Sequence, residues 1–274
     1  MDYLSYVICV EELARVDGSQ AATIAAHNSL GAAPLYYYGS EEQKKKYLPD
    51  LCTGEGMWGF GLTEAGAGSD AQASKTNAFF DEATKEWVIN GSKIWITNSA
   101  SDITKGITVQ AITGEKPNGK KELSCFIVEA GTPGLTAKAM HGKMMWRASN
   151  TGELYFDDVR VKEDAMLGKR GDGFKQMMET LDNGRLSIGA MGLGLAKGAL
   201  AVTIKYANER ETFGKPICKH QAVAFKLAEM ATRVEAAENL LYKSAWLKQE
   251  GKPFQKEAAM AKLYCSEVAE YCAR

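Results

Sequence analysis

The chain has 274 residues, 45% of them hydrophobic and 24% charged, the balance of an ordinary globular protein long enough for two domains. A net charge of -1 removes the electrostatic case for nucleic acid or an anionic membrane as the main partner. Six cysteines without a C-x-x-C pair, and only three histidines, set aside zinc and thioredoxin-type chemistry and leave reduced, buried thiols as the expectation.

Near the start, Tyr3, Tyr6, Val7, Val10, Leu13 and Ala14 fall at helical spacing and predict an amphipathic helix ending around Asp17-Gly18. The segment lacks the basic flank of a signal or transit peptide, and no apolar run approaches the length of a membrane span. A second, alanine-rich helix is expected from about Gln20 to Tyr38, with small residues from Ala21 for close packing and His27 on the helix surface. Ser40 and Gln43 form a capping box for a short helix that Pro49 should stop, and Lys44 to Lys46 read as a solvated face.

From Met57 the pattern changes to period two. Ile107 to Ile112, Leu123 to Val128 and Glu153 to Val161 are short β-rich runs separated by turns such as Pro117-Asn118-Gly119 and Thr132-Pro133-Gly134, which predicts a compact β-barrel or sandwich. Phe174 to Asn208 reads as one long helix despite Gly184, Gly189, Gly192, Gly194 and Gly198. Each interior glycine costs about 1 kcal/mol relative to alanine, so close approach of a partner helix or a flat ligand must offset them. A further helix is expected from about Lys219 to Gln249, and a last one from near Pro253 that still runs at Arg274.

Two stretches carry the chemistry. Gly59 to Asp70 reads G-F-G-L-T-E-A-G-A-G-S-D, a strand-like start running into a turn whose Gly66 and Gly68 remove side chains where something must approach the backbone. Such a turn can present N–H groups to an anion. Gly66, Gly68 and Ala71 formally satisfy a dinucleotide fingerprint, but Ala71 to Glu86 has no helical repeat, and the Rossmann reading fails on that context. Trp87 to Asn98 reads W-V-I-N-G-S-K-I-W-I-T-N, with Asn90-Gly91 as a hairpin signal between two β-rich runs.

Together these stretches resemble the acyl-CoA dehydrogenase family, most of all its short-chain, butyryl-type members, and the resemblance extends over nearly the whole chain. It implies a multi-domain α and β fold: a partial N-terminal helical domain at 1–56, a central β-barrel or sandwich domain at 57–162, and a partial C-terminal four-helix bundle at 163–274. The cofactor implied is FAD, and the reaction is α,β-dehydrogenation of an acyl-CoA thioester to the trans-2-enoyl-CoA, with electrons passed to an electron-transfer flavoprotein. A homotetramer in the bacterial cytoplasm, or in the mitochondrial matrix of a eukaryote, is implied as well.

The resemblance places the flavin against Phe60, Leu62, Thr63, Gly68 and Ser69 on one side and Trp95, Ile96 and Thr97 on the other. Arg210, Thr212 and Phe213 in E-R-E-T-F-G-K, followed by His220-Gln221, match a motif that serves FAD pyrophosphate across a subunit boundary, a task suited to the planar fork of arginine. Ser69, Ser149, Asp182 and Arg185 match substrate contacts. The family's catalytic glutamate has no counterpart here: most members carry it in a Y-E-G-T-like motif, expected beyond Arg274, and a minority at the position of Gly184. The chain is accordingly read as a fragment truncated at both ends and inactive by itself, with no metal. The alternatives are an acyl-CoA oxidase or flavin monooxygenase on the same fold, or a catalytically silent flavin-binding relative.

Overall fold

The computed structural model describes residues 2–274. Contacts group the chain into two compact units, Ala26–Leu181 and Met1–Ala25 with Asp182–Arg274, which cross the chain-order divisions at 56 and 162.

The first helices are α1 (Tyr3–Val16) and α2 (Gly18–Ala26), the latter continuing through a π-helical stretch, His27–Ala32, into α3 (Ala33–Tyr38). In α4 (Glu41–Thr53) both halves of the Ser40–Gln43 capping box form, but Pro49 lies inside the helix, which ends at left-handed Gly54. Proline is therefore tolerated here where a stop was expected. His27 is buried, not on the helix surface: its Nδ1 accepts the Trp58 N–H at 3.3 Å and its Nε2–H donates to the Leu51 carbonyl at 2.9 Å. Nor is Lys46 merely solvated, since it pairs with Glu129 at 2.5 Å beside the Tyr47 hydroxyl.

The β unit is built on eight strands: β1 (Met57–Gly61), β2 (Asn77–Asp81), β3 (Glu86–Thr97), β4 (Thr104–Glu115), β5 (Lys121–Glu129), β6 (Leu135–Ala139), β7 (Thr151–Lys162) and β8 (Met166–Leu167). Their order is β6-β7-β3-β2-β4-β5-β8, with β1 added parallel to β4. Alternation sends residues to opposite faces. Phe126 and Val128 of β5 join Ile89, Ile107, Leu154 and Val159 in one core, while Cys125 and Ile127 join Leu35, Leu51 and Trp58 in another beneath the helices.

Asn90-Gly91 does not turn a hairpin. β3 runs straight through it, and the pairing with β7 slips there, so the dipeptide makes a bulge. Gly91 has φ +144°, and a Cβ on it would lie 2.6 Å from the Thr76 hydroxyl. Asn90 spends its side chain on β7, exchanging two 2.9 Å hydrogen bonds with Asp158.

In the helical unit, α1 and α2 share one core with the distal part of α5 (Gly173–Glu209) and with α6 (Gln221–Gln249) and α7 (Gln255–Ala273). By length and composition alone α5 could cross a membrane, against the expectation that no apolar run approaches that length, but Leu186, Ala190, Leu193 and Ala196 are core residues here and account for its apolarity. Three of its glycines meet backbone: added Cβ atoms would lie 2.1 Å from the Glu11 carbonyl oxygen at Gly194, 2.5 Å from that of Arg15 at Gly198, and 2.9 Å from Cys265 at Gly192. Buried Glu11 then binds Lys197 at 2.5 Å and the Tyr242 hydroxyl at 2.8 Å, and Lys197 also reaches Glu238 at 2.7 Å.

Gly194→Ala should therefore destabilise the protein although alanine is the better helix former. The propensity gain is about 1 kcal/mol, against an overpacking cost of about 1–3 kcal/mol that α1 cannot yield to cheaply. Thermal denaturation should show a lower midpoint, and a midpoint at or above the parent's would contradict the close approach.

Candidate functional site

A cavity of about 360 Å³ lies where the exit of β1 faces the end of β3, and its walls include Phe60, Leu62, Thr63, Gly68, Ser69, Trp95, Ile96 and Thr97. The remaining lining residues are Ala26, Leu30, Ala71, Met178 and Leu181. The walls thus carry apolar side chains with a few hydroxyls at Thr63, Ser69 and Thr97, and no ionisable side chain. A larger hollow, about 860 Å³ beside Trp87 and Arg170, is rimmed by charges of both signs and collects none of the residues expected to bind cofactor or substrate.

Backbone geometry shapes the cavity. A second slip between Lys93 and Ile96 breaks the ladder of β3 with β7, and within it Trp95 adopts φ +58°. A bulky residue in the left-handed region is an outlier that costs on the order of 1–3 kcal/mol and tends to mark functional sites. Trp95 is also 62% exposed, so burial of its ring in this chain does not offset that cost. Across the cavity, an added Cβ at Gly66 or Gly68 would meet nothing within 4 Å. The chain itself makes no demand for glycine there, which leaves a cradle that side chains would fill. Apolar walls, a few hydroxyls and open space at Gly68 fit a planar heteroaromatic ring with an anionic tail.

Leu62 of this wall is tied to a buried ion pair, Lys93–Glu64, which is not among the residues expected from sequence. Lys93 Nζ, with no exposed surface, sits 2.7 Å from Glu64 Oε1, 3.2 Å from the Leu62 carbonyl oxygen and 3.3 Å from Ser74 Oγ. The Glu64 carboxylate also accepts from the Ser74 hydroxyl at 2.5 Å, the Lys75 N–H at 2.7 Å and the Thr76 N–H at 3.1 Å. Burial pushes the Glu64 carboxyl up, but Lys93 and these donors outweigh it and bring the group from its usual 4.5 to about 2. In S-K-I-W-I strict alternation puts Lys93 on the face of Trp95, opposite Ile94 and Ile96, so the sequence alone assigns it to the surface.

The other expected residues lie in the helical unit or elsewhere in the β unit. After α5, β9 (Glu211–Thr212) and β10 (Lys215–Pro216) form a tight hairpin. Phe213 sits at its tip with φ +52° and 96% exposure, edge-on to His220, whose Nε2 lies 3.0 Å from Thr212 Oγ1. The Arg210 carbonyl accepts the Ile217 N–H, and Gln221 opens α6. Asp182 and Arg185 form an ion pair one turn apart on α5. Ser149 is buried and its carbonyl accepts from Lys143. Between Asp182 and Gly184, Asn183 accepts from Lys248 at 2.5 Å; Lys248 lies 3.7 Å from the centre of the Tyr3 ring, and burial brings its ammonium down to about 7.

Comparison with known proteins finds one family along nearly the whole chain. Models of the acyl-CoA dehydrogenase N-terminal, middle and C-terminal domains match residues 1–55, 59–159 and 171–274. The short-chain specific acyl-CoA dehydrogenase of Megasphaera elsdenii is 47% identical over 98% of this chain and 69% of its own length. The chain belongs to the acyl-CoA dehydrogenase family. Among solved family structures, one described as the electron transferring flavoprotein of Acidaminococcus fermentans contains a chain that matches at 46% identity and a TM-score of 0.92, covering 98% of this chain and 69% of that one. A glutaryl-CoA dehydrogenase from Mycobacterium smegmatis in complex with FADH2 matches at 32% identity and a TM-score of 0.92, covering 100% of this chain and 68% of that one.

The Glu64 carboxyl makes a pH prediction. Its folded value lies below its unfolded one, so its contribution to stability is complete above the unfolded value and is lost as pH falls from about 5 towards 2. Chemical denaturation across that range should show a shallower acid decline in Glu64→Gln than in the parent. Equal slopes would mean that the pair does not hold the proton off.

Proposed function

We propose that the protein is an FAD-dependent short-chain acyl-CoA dehydrogenase that converts the thioester to the trans-2-enoyl-CoA and passes electrons to an electron-transfer flavoprotein. The observation that carries this reading is the single cavity in which Phe60 to Ser69 meet Trp95 to Thr97, with a strained tryptophan on one side and an unfilled glycine cradle on the other. FAD, when bound, supplies the acceptor for the hydride leaving the β-carbon. The apolar walls of Leu30, Phe60, Leu62 and Met178 exclude water and strengthen every hydrogen bond made inside. Thr63 and Thr97 orient the ring's polar edges by their hydroxyl and N–H groups, and Trp95 covers the exposed edge. Gly68 and Ser69 take the phosphate-bearing tail.

Arg210, Thr212, Phe213, His220 and Gln221 serve the pyrophosphate of a second subunit's FAD in a homotetramer. The extreme exposure of Phe213 on a strained hairpin tip supports that role. Ser149, Asp182 and Arg185, with Ser69, bind the CoA thioester. A second reading, flavin binding without dehydrogenation, is favoured by one observation: the cavity walls carry no carboxylate, and the position of the alternative base is Gly184.

Purified protein offered FAD and NAD should keep a yellow chromophore and ignore NAD, and Thr97→Ala should weaken FAD retention by about tenfold for one lost charge-free hydrogen bond in a dry site. NAD binding without the chromophore would reverse the assignment. On the second reading, bleaching of the bound flavin by butyryl-CoA should be slower than in the Megasphaera relative by about a hundred- to ten-thousand-fold, the contribution of a positioned base. Comparable rates would mean that another carboxylate takes the proton, with Glu179 and Asp182 the first to substitute.

A further inference from the structure

Lys93 and Glu64 have no place in the reading above, although both are buried and Lys93 binds the carbonyl of Leu62, a residue of the cavity wall. We propose that Lys93, held by Glu64, is a positioning residue that turns the Leu62–Thr63 peptide so that its N–H faces the cavity and serves the bound flavin ring. The inference rests on the flavin reading and adds to it a residue that touches neither cofactor nor substrate.

Desolvating an ammonium and a carboxylate returns little net stability, and an apolar pair of similar volume is often as stable. The pair here is nevertheless fully served, with the Lys93 ammonium divided among Glu64, Ser74 and the Leu62 carbonyl. That last bond connects the pair to the cavity. A trans peptide is planar, so the Leu62 C=O and the Thr63 N–H point in opposite directions. With the carbonyl drawn inward to Lys93, the N–H faces the other way, towards the cavity that Leu62 and Thr63 both line. The following carbonyl, that of Thr63, accepts the Ile94 N–H at 2.9 Å. Two successive carbonyls of one wall are thus gripped by two successive residues of β3, immediately before strained Trp95 on the other wall. Without Lys93, the Leu62 carbonyl would be buried without a donor, and rotating the peptide to relieve it would present an acceptor to the ligand in place of a donor.

The test compares FAD dissociation constants of the apo-protein for the parent, Lys93→Gln and Lys93→Met, each beside its apo melting temperature. The glutamine amide can still donate to Leu62, so its affinity should stay within about threefold of the parent, while the methionine variant should lose about tenfold or more; both variants remove the cation paired with Glu64 and should melt below the parent, so the glutamine variant is the control for that loss. Equal affinities in all three, or equal losses in both variants, would overturn the proposal. Should the methionine variant not fold, amide exchange in the unsubstituted protein decides: FAD should slow exchange at Thr63 by about tenfold or more and leave Glu64, whose N–H already donates to Ala67, unchanged. An unaffected Thr63 amide overturns the proposal. If the unsubstituted protein keeps no FAD, the flavin reading itself has failed, a result distinct from FAD binding that no change at Lys93 alters.

Discussion

A lysine ammonium with no exposed surface is the constraint on which the β unit depends. Removing it from water costs several kcal/mol even after relaxation, so every partner has to be in place for the chain to tolerate it. Those partners are Leu62, Glu64 and Ser74, all from the segment between β1 and β2, which has almost no regular structure of its own. Lys93 therefore gives an irregular loop a defined shape. The glycine turn at Gly66 and Gly68 is folded back on itself by the reciprocal 3.1 Å bonds between Glu64 and Ala67, and Glu64 is the residue that Lys93 holds.

β3 carries two departures from regular pairing, and they do different work. The bulge at Asn90-Gly91 makes room for Thr76 and ties β3 to β7 through Asp158, so it belongs to the architecture of the sheet. The slip between Lys93 and Ile96 sends the lysine into the interior and the next aromatic residue out to the cavity, so it belongs to the site. A regular strand would also place alternate residues on opposite faces, but it would not put a tryptophan at φ +58° with most of its ring exposed. Phe213 repeats the pattern in the helical unit, as a large apolar side chain on strained backbone with almost no cover.

The helical unit is held by a different constraint, the closeness of α1 to α5. Gly194 and Gly198 bring the α5 backbone against the carbonyls of Glu11 and Arg15. At that separation the Glu11 carboxylate is buried and has to be met by Lys197 and Tyr242, so the approach of the backbones and the polar network follow from one another. Their combined effect is to place the first helix of the chain in one core with the last three.

Local chemistry in the sequence was enough to read the existence and type of most elements, the capping box at Ser40, the demand for close packing at the glycines of α5, and the family, because each depends on residues near one another in the chain. The two stretches that meet in the cavity were legible for the same reason, as a strand, a glycine turn and a W-I-T strand. What only the tertiary structure decided were the matters set by distant partners. His27 is buried because Leu51 and Trp58 supply an acceptor and a donor for its ring. Asn90-Gly91 bulges because Thr76 and Asp158 come against it, although by itself the dipeptide favours a turn. Lys93 points inward because Glu64, twenty-nine residues earlier, meets it there. Periodicity assigns a charged residue to solvent, and only a partner brought up by the fold makes burial tolerable.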